Sequence, residues 1–111
     1  MSSDLLEDSE THESLHNFGI FLSTIERYDE AEQILRKVVT LREQYLDPED
    51  SDLLAHSLSD LGSILAKKSC TKEAYDFYQQ ALRIMLNNFD DDEPETLEIQ
   101  ERIAELSNIG K

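Results

Sequence analysis

The chain has 111 residues, room for one domain and little more. Asp and Glu number 25 against 10 Lys and Arg, a formal net charge of −15, which excludes nucleic acid as a direct ligand because phosphate binding takes clustered Lys and Arg. The single cysteine, Cys70, rules out an intrachain disulfide framework and a Cys-rich zinc site, and it is compatible with a reducing compartment.

No run approaches the roughly 20 apolar residues of a membrane span, and no basic-then-apolar leader opens the sequence. Residues 1–10 are polar and acidic around Leu5-Leu6, and read as a tail or the remnant of a preceding helix. From residue 11 onward Leu15, Phe18, Leu22 and Ile25 recur at three- and four-residue steps, predicting a first amphipathic helix. Glu26-Arg27-Tyr28-Asp29 interrupts the pattern, with Asp29 the expected cap of the next helix. Ala31, Ile34, Leu35, Val38 and Leu41 mark that second helix, running toward Tyr45 and Leu46. Residues 47–52 supply Pro48 and acidic capping residues for a new start. Leu54, Leu58, Leu61 and Leu65 then predict a third helix, and Ala74, Phe77, Tyr78, Ala81 and Ile84 a fourth, together covering about 52–89. Asp90 to Pro94 opens a fifth, over about 93–109, striped by Ile99, Ile103 and Leu106 with Glu98, Glu101, Arg102 and Glu105 elsewhere. Strand-like alternation is absent. The four tyrosines and four phenylalanines fall mainly on stripes or helix ends and read as core.

The chain repeats itself. A shift of 43 residues lays Leu15-His16-Asn17-Phe18-Gly19 over Leu58-Ser59-Asp60-Leu61-Gly62 without a gap. The same register pairs Leu22 with Leu65, Glu30-Ala31 with Glu73-Ala74, Ile34-Leu35 with Phe77-Tyr78, and Val38 with Ala81. Gly19 and Gly62 sit inside helical stripes, where glycine costs about 1 kcal/mol relative to alanine. Their shared register implies a facing helix too close for a side chain, with Ala31 and Ala74 filling the matching contact.

These residues resemble a tetratricopeptide repeat. Its pattern is carried by Leu15, Phe18-Gly19, Leu22, Tyr28, Ala31, Leu35 and Val38, and again by Leu58, Leu61-Gly62, Leu65, Thr71, Ala74, Tyr78 and Ala81. The 43-residue spacing exceeds the usual 34 or so, and Leu41 to Asp50 is similar to the kinesin-light-chain variety. Thr71 replaces the aromatic residue of the turn, a departure expected to loosen the second pair. The resemblance implies an all-α array of helical hairpins, about five antiparallel helices: one repeat over 11–46, another over 52–89, and a capping helix rather than a third copy. Two copies and a cap are marginal alone, since three or more repeats are normally needed. The expected location is the cytoplasm, with the mitochondrion as the alternative; residues 103–107 faintly resemble the closing helix of a mitochondrial member of the family, a likeness too short to carry a location.

By the same resemblance the first helix of each pair lines a concave groove. The groove-facing positions are Glu13, His16, Asn17, Ile20, Ser23 and Thr24 in copy one, and His56, Ser59, Asp60, Ser63, Ala66 and Lys67 in copy two. Short polar side chains there leave room for an extended peptide, with Asn17 and Asp60 placed to contact its backbone. The alternative is a solvated helix face without a ligand.

His12-Glu13-Ser14-Leu15-His16 matches H-E-x-x-H, in which two histidines one turn apart bind zinc and the glutamate is the general base. Such a site also needs a third ligand and a supporting outer shell. The repeat already accounts for this helix, so no catalytic metal and no cofactor is expected. Adventitious metal binding by His16 and His56 depends on the groove bringing them together. Cys70 lies in a turn near Lys67, Lys68 and Lys72 and reads as an exposed, incidental thiol, and Asp90 to Glu93 lacks the spacing of a calcium loop.

The leading reading is a non-enzymatic module that holds a peptide or partner helix in the groove, favouring basic segments, in a scaffold or assembly role. The second is a structural or oligomerising segment of a longer solenoid, packing on neighbouring repeats or another copy. The third is an acidic inhibitor that mimics nucleic acid.

Overall fold

The computed structural model describes residues 9–109. Five α-helices succeed one another: α1 (Ser9–Thr24), α2 (Tyr28–Tyr45), α3 (Ser51–Lys67), α4 (Thr71–Asn88) and α5 (Pro94–Ile109). A single 3-10 turn, Pro48–Asp50, precedes α3, and there is no strand among the described residues. Each helix packs on the next in the chain, and α1 touches α3 as α3 touches α5. The odd-numbered helices therefore form one layer and α2 with α4 the other, in a slab of 50 × 34 × 19 Å. Of residues 1–10, Ser9 and Glu10 belong to α1; Leu5-Leu6 lies outside the described residues.

The repeat seen in the sequence is repeated in the backbone. Each hairpin turns through a residue with positive φ, Glu26 at 64° and Ser69 at 66°, which are equivalent in the 43-residue register. Around them the amides of Arg27 and Cys70 donate to the carbonyls of Leu22 and Leu65, at 2.8 Å in both turns. Glu26 and Ser69 donate to Ser23 and Ala66, at 3.0 Å in both. This paired 6→1 and 5→2 bonding is the Schellman closure of a helix, and it satisfies carbonyls otherwise orphaned at the helix end. Cys70 is thus half-buried against the core rather than exposed.

The two interior glycines mark close helix crossings. A Cβ on Gly62 would lie 2.8 Å from the Tyr78 ring and 3.1 Å from the Ala74 carbonyl oxygen, and one on Gly19 would overlap the Leu35 side chain. At Gly19 the facing contact is Leu35 with Ile34, not Ala31.

Several local expectations are corrected. Asp29 does not cap α2: the helix begins at Tyr28 behind Arg27, with no side-chain cap, and Asp29 instead lies in the first turn, where its charge meets the positive end of the helix dipole. Asp47 and Asp50 make no capping hydrogen bonds either; Pro48 and Pro94 open the 3-10 turn and α5. Thr71 is exposed, and the second hairpin is packed more extensively than the first despite lacking the aromatic ring there.

The largest correction concerns α1. Of its stripe only Leu22 is fully buried, while Phe18 is 49% exposed, with Phe21 and Ile25 also on the surface. Tyr75 is exposed as well, so the aromatic residues are not uniformly core. In the register Leu15, Phe18 and Phe21 correspond to Leu58, Leu61 and Ile64, all buried, Leu61 to 1% exposure. The difference is the neighbour: α2 packs on that flank of α3, whereas no described element covers the same flank of α1. The face α1 does bury is His12, His16, Gly19 and Leu22. On α5, the stripe of Ile99, Ile103 and Leu106 packs on the core.

Candidate functional site

The helix layer bends around a cleft of about 730 Å³. Its walls are Glu13, His16, Asn17 and Ile20 from α1, Asp52, Leu53, His56 and Asp60 from α3, and Met85 and Phe89 at the end of α4. Arg42 of α2 forms the floor, while Glu93 and Glu95 close the α5 side. The four-residue spacing of His56 and Asp60 puts both on one face of α3, and that of His16 and Ile20 does the same on α1.

Of the groove positions read from the sequence, Glu13, His16, Asn17, Ile20, His56 and Asp60 meet in this cleft. Ser63, Ala66 and Lys67 line a smaller hollow of about 260 Å³ with Arg102 and Glu105. Ser59 lies buried between the two, accepting a 2.7 Å hydrogen bond from Arg102. Thr24 and Ser23 line neither; the Thr24 hydroxyl donates back to the Ile20 carbonyl.

Asp60 is the hub. Its Oδ1 accepts from Arg102 Nη1 at 3.0 Å, and its Oδ2 lies 3.1 Å from His16 Nε2 and 3.3 Å from His56 Nε2. Burial pushes its pKa up, but the His16 contact and the charges of His56 and Arg102 outweigh burial and hold the carboxyl below its ordinary value. Arg102 is raised despite its burial, chiefly by Asp60. The His56 pKa is raised, most by its hydrogen bond with Glu95 at 3.1 Å and next, after an opposing push from burial, by the charge of Asp60. His16 is nine-tenths buried, and its Nδ1 shares a 2.9 Å hydrogen bond with Ser57 Oγ. With so many internal partners, Asp60 organises the cleft wall and is a poor free acceptor for a ligand's amides.

Arg42 is, equally with Met85, the most deeply buried of the cleft residues that sequence reasoning missed, which also include Asp52, Leu53, Phe89, Glu93 and Glu95. It is 2% exposed and donates from Nη1 to the Leu53 carbonyl and to Ser57 Oγ, both at 2.8 Å, and from Nη2 to Glu13 at 3.4 Å. Burial lowers its pKa, with Glu13, Asp52 and Asp60 opposing that push. A signal was available: the register sets Arg42 over Met85, a core position buried to the same degree.

The H-E-x-x-H pentapeptide does not assemble as a zinc motif. His12 packs near the Tyr45 ring, 6.2 Å between centroids, and Glu13 pairs with Arg42. Among the described residues, the group able to hold a metal is instead His16, His56 and Asp60, with one ligand atom from each lying within 4.8 Å of the others.

The family model for the tetratricopeptide repeat matches residues 10–84. No sequence among curated proteins matches the chain. Among solved structures it is similar to the TPR-like repeats of a protein assigned as a kinesin light chain from Podosopora anserina, with a TM-score of 0.80 at 20% identity. The match spans 90% of this chain and 47% of that one, so this chain is about half the length of its structural neighbour. A single-substitution variant of the same protein matches equally well. Duplicated hairpins, glycine crossings and a profile matched over most of its length place this chain in the tetratricopeptide repeat family.

Proposed function

We propose that the cleft between α1, α3 and the α4–α5 corner receives a peptide or partner helix of another protein, and that a basic segment fits it best. Tetratricopeptide repeats mediate protein–protein contacts and scaffolding, generally without catalysis. The observation that carries the reading is the lining: Glu13, Asp52, Glu93 and Glu95 share the cleft walls with apolar Leu53, Met85 and Phe89. Lys and Arg side chains of a bound segment would meet the carboxylates, its apolar residues the apolar part of the wall. Asn17 is exposed on α1, and its amide can pair with both a backbone N–H and a C=O.

The test is binding to immobilised short peptides of varied charge. Basic apolar peptides should bind more tightly than acidic ones, and affinity should fall as salt rises. Glu13→Lys and Asn17→Ala should each weaken binding several-fold with helicity retained; unchanged affinity in both would move the site elsewhere.

The exposed Phe18, Phe21 and Ile25 favour a second reading, a structural role in which that flank of α1 packs on another copy or a further repeat.

A further inference from the structure

We propose that His16, His56 and Asp60 form a Zn²⁺ site joining the first hairpin to the second. Asp60 Oδ2 stands 3.1 Å from His16 Nε2 and 3.3 Å from His56 Nε2. Tetrahedral Zn²⁺ with bonds of about 2.0–2.1 Å sets neighbouring ligand atoms about 3.3 Å apart. The imidazole rings face each other at 4.9 Å between centroids, with all three ligand atoms within 4.8 Å.

The outward atom of each ligand is already held. His16 Nδ1 bonds Ser57 Oγ, His56 Nδ1 bonds Glu95 Oε1, and Asp60 Oδ1 accepts from Arg102. Metal-binding histidines characteristically donate their second ring nitrogen to an oxygen in this way, which fixes the ring and leaves the other nitrogen's lone pair for the ion. His16 is buried to 4% exposure, and its Nε2 is turned toward Asp60 Oδ2 at 3.1 Å. Two imidazoles and a carboxylate suit Zn²⁺ better than Ca²⁺ or Mg²⁺, which take oxygen ligands. The ligands line the cleft, so a water or an incoming side chain fills the fourth position. The site stands whether or not the cleft receives a peptide.

The experiment is calorimetric titration of Zn²⁺ into the full chain, free of any histidine tag and stripped of metal. One equivalent should bind, survive dialysis and raise the melting temperature. His56→Ala, a half-exposed position, should lower affinity at least tenfold with the circular dichroism minimum at 222 nm preserved. Glu95→Gln, which touches no metal, should weaken binding about 10- to 100-fold through the lost support of His56. Asp91→Ala, in the exposed acidic linker, should bind as the wild type does. Co²⁺ should give the intense visible bands of four-coordinate geometry. Failure of the wild type to take up Zn²⁺ overturns the site, as does uptake unchanged by His56→Ala and Glu95→Gln, or uptake lost with Asp91→Ala.

Discussion

Arg42 shows how far a single side chain departs from its repeat. The equivalent Met85 fills its core position with apolar atoms, whereas Arg42 brings a charge into the same position and satisfies it with Ser57, Leu53 and, more loosely, Glu13. Removing it breaks two buried hydrogen bonds from a charged donor, each worth about 1.5–3 kcal/mol, although Ser57 Oγ keeps its bond with His16. Arg42→Ala is therefore expected to destabilise the fold by roughly 2–4 kcal/mol in urea unfolding. Arg42→Met, which keeps the stem and mirrors the second copy, should recover part of that loss. Equal stability of all three proteins would show that the guanidinium contributes nothing. The glycine crossings were legible from letters alone because glycine inside a helical stripe has few other uses. Arg42 was legible only through its register with Met85, and Arg102 not at all, because a cation at such a spacing looks like surface until its partners are known.

At the scale of elements, the hairpins are tied by charge on the side away from the cleft. Lys68, just past α3, donates to Asp29 and Glu32 of α2 at 2.6 Å each, and Arg36 of α2 reaches both Glu32 and Glu73 of α4. The hydrogen bond from Lys68 chiefly holds the Glu32 pKa below its ordinary 4.5, with Arg36 adding to it against the opposing effect of burial. A carboxyl depressed on folding stabilises the native state above its unfolded pKa, and the benefit disappears as pH falls through the folded value. Lys68→Met should consequently lower the urea midpoint at pH 7, with the gap from wild type narrowing below pH 4.5. A gap that stays constant into acid would mean that Lys68 contributes by packing instead. Helix number and order were readable from periodicity. Which flank of α1 is buried was not, because Leu15, Phe18 and Phe21 present the same apolar pattern as Leu58, Leu61 and Ile64, and only the presence of α2 separates the two cases.

For the molecule as a whole, the exposed flank of α1 and the net charge of −15 act against each other. Apolar contact favours association through Phe18 and Phe21, while like charge opposes it and salt screens that opposition. Light scattering should therefore find a mass that rises with protein concentration, more steeply at high salt. Phe18→Glu with Phe21→Glu should hold the mass at that of one chain. A wild type that stays monomeric at millimolar concentration and high salt would remove the structural reading. The layered array was foreseeable from duplication. That His16, His56 and Asp60 share one groove was also readable, but their turning toward one another was not, because 43-residue spacing places equivalent positions side by side without revealing which side chains meet.

The buried polar face of α1 makes the two hairpins non-interchangeable. His16 relies on Ser57 and Asp60 of α3, whereas its counterpart Ser59 is met by Arg102 of α5. Swapping the hairpins would hand an imidazole to a guanidinium and strand the aspartate. Chain order is thereby written into the contact between units, and a tandem array cast from copies of the second unit alone would stack well yet carry a blank cleft.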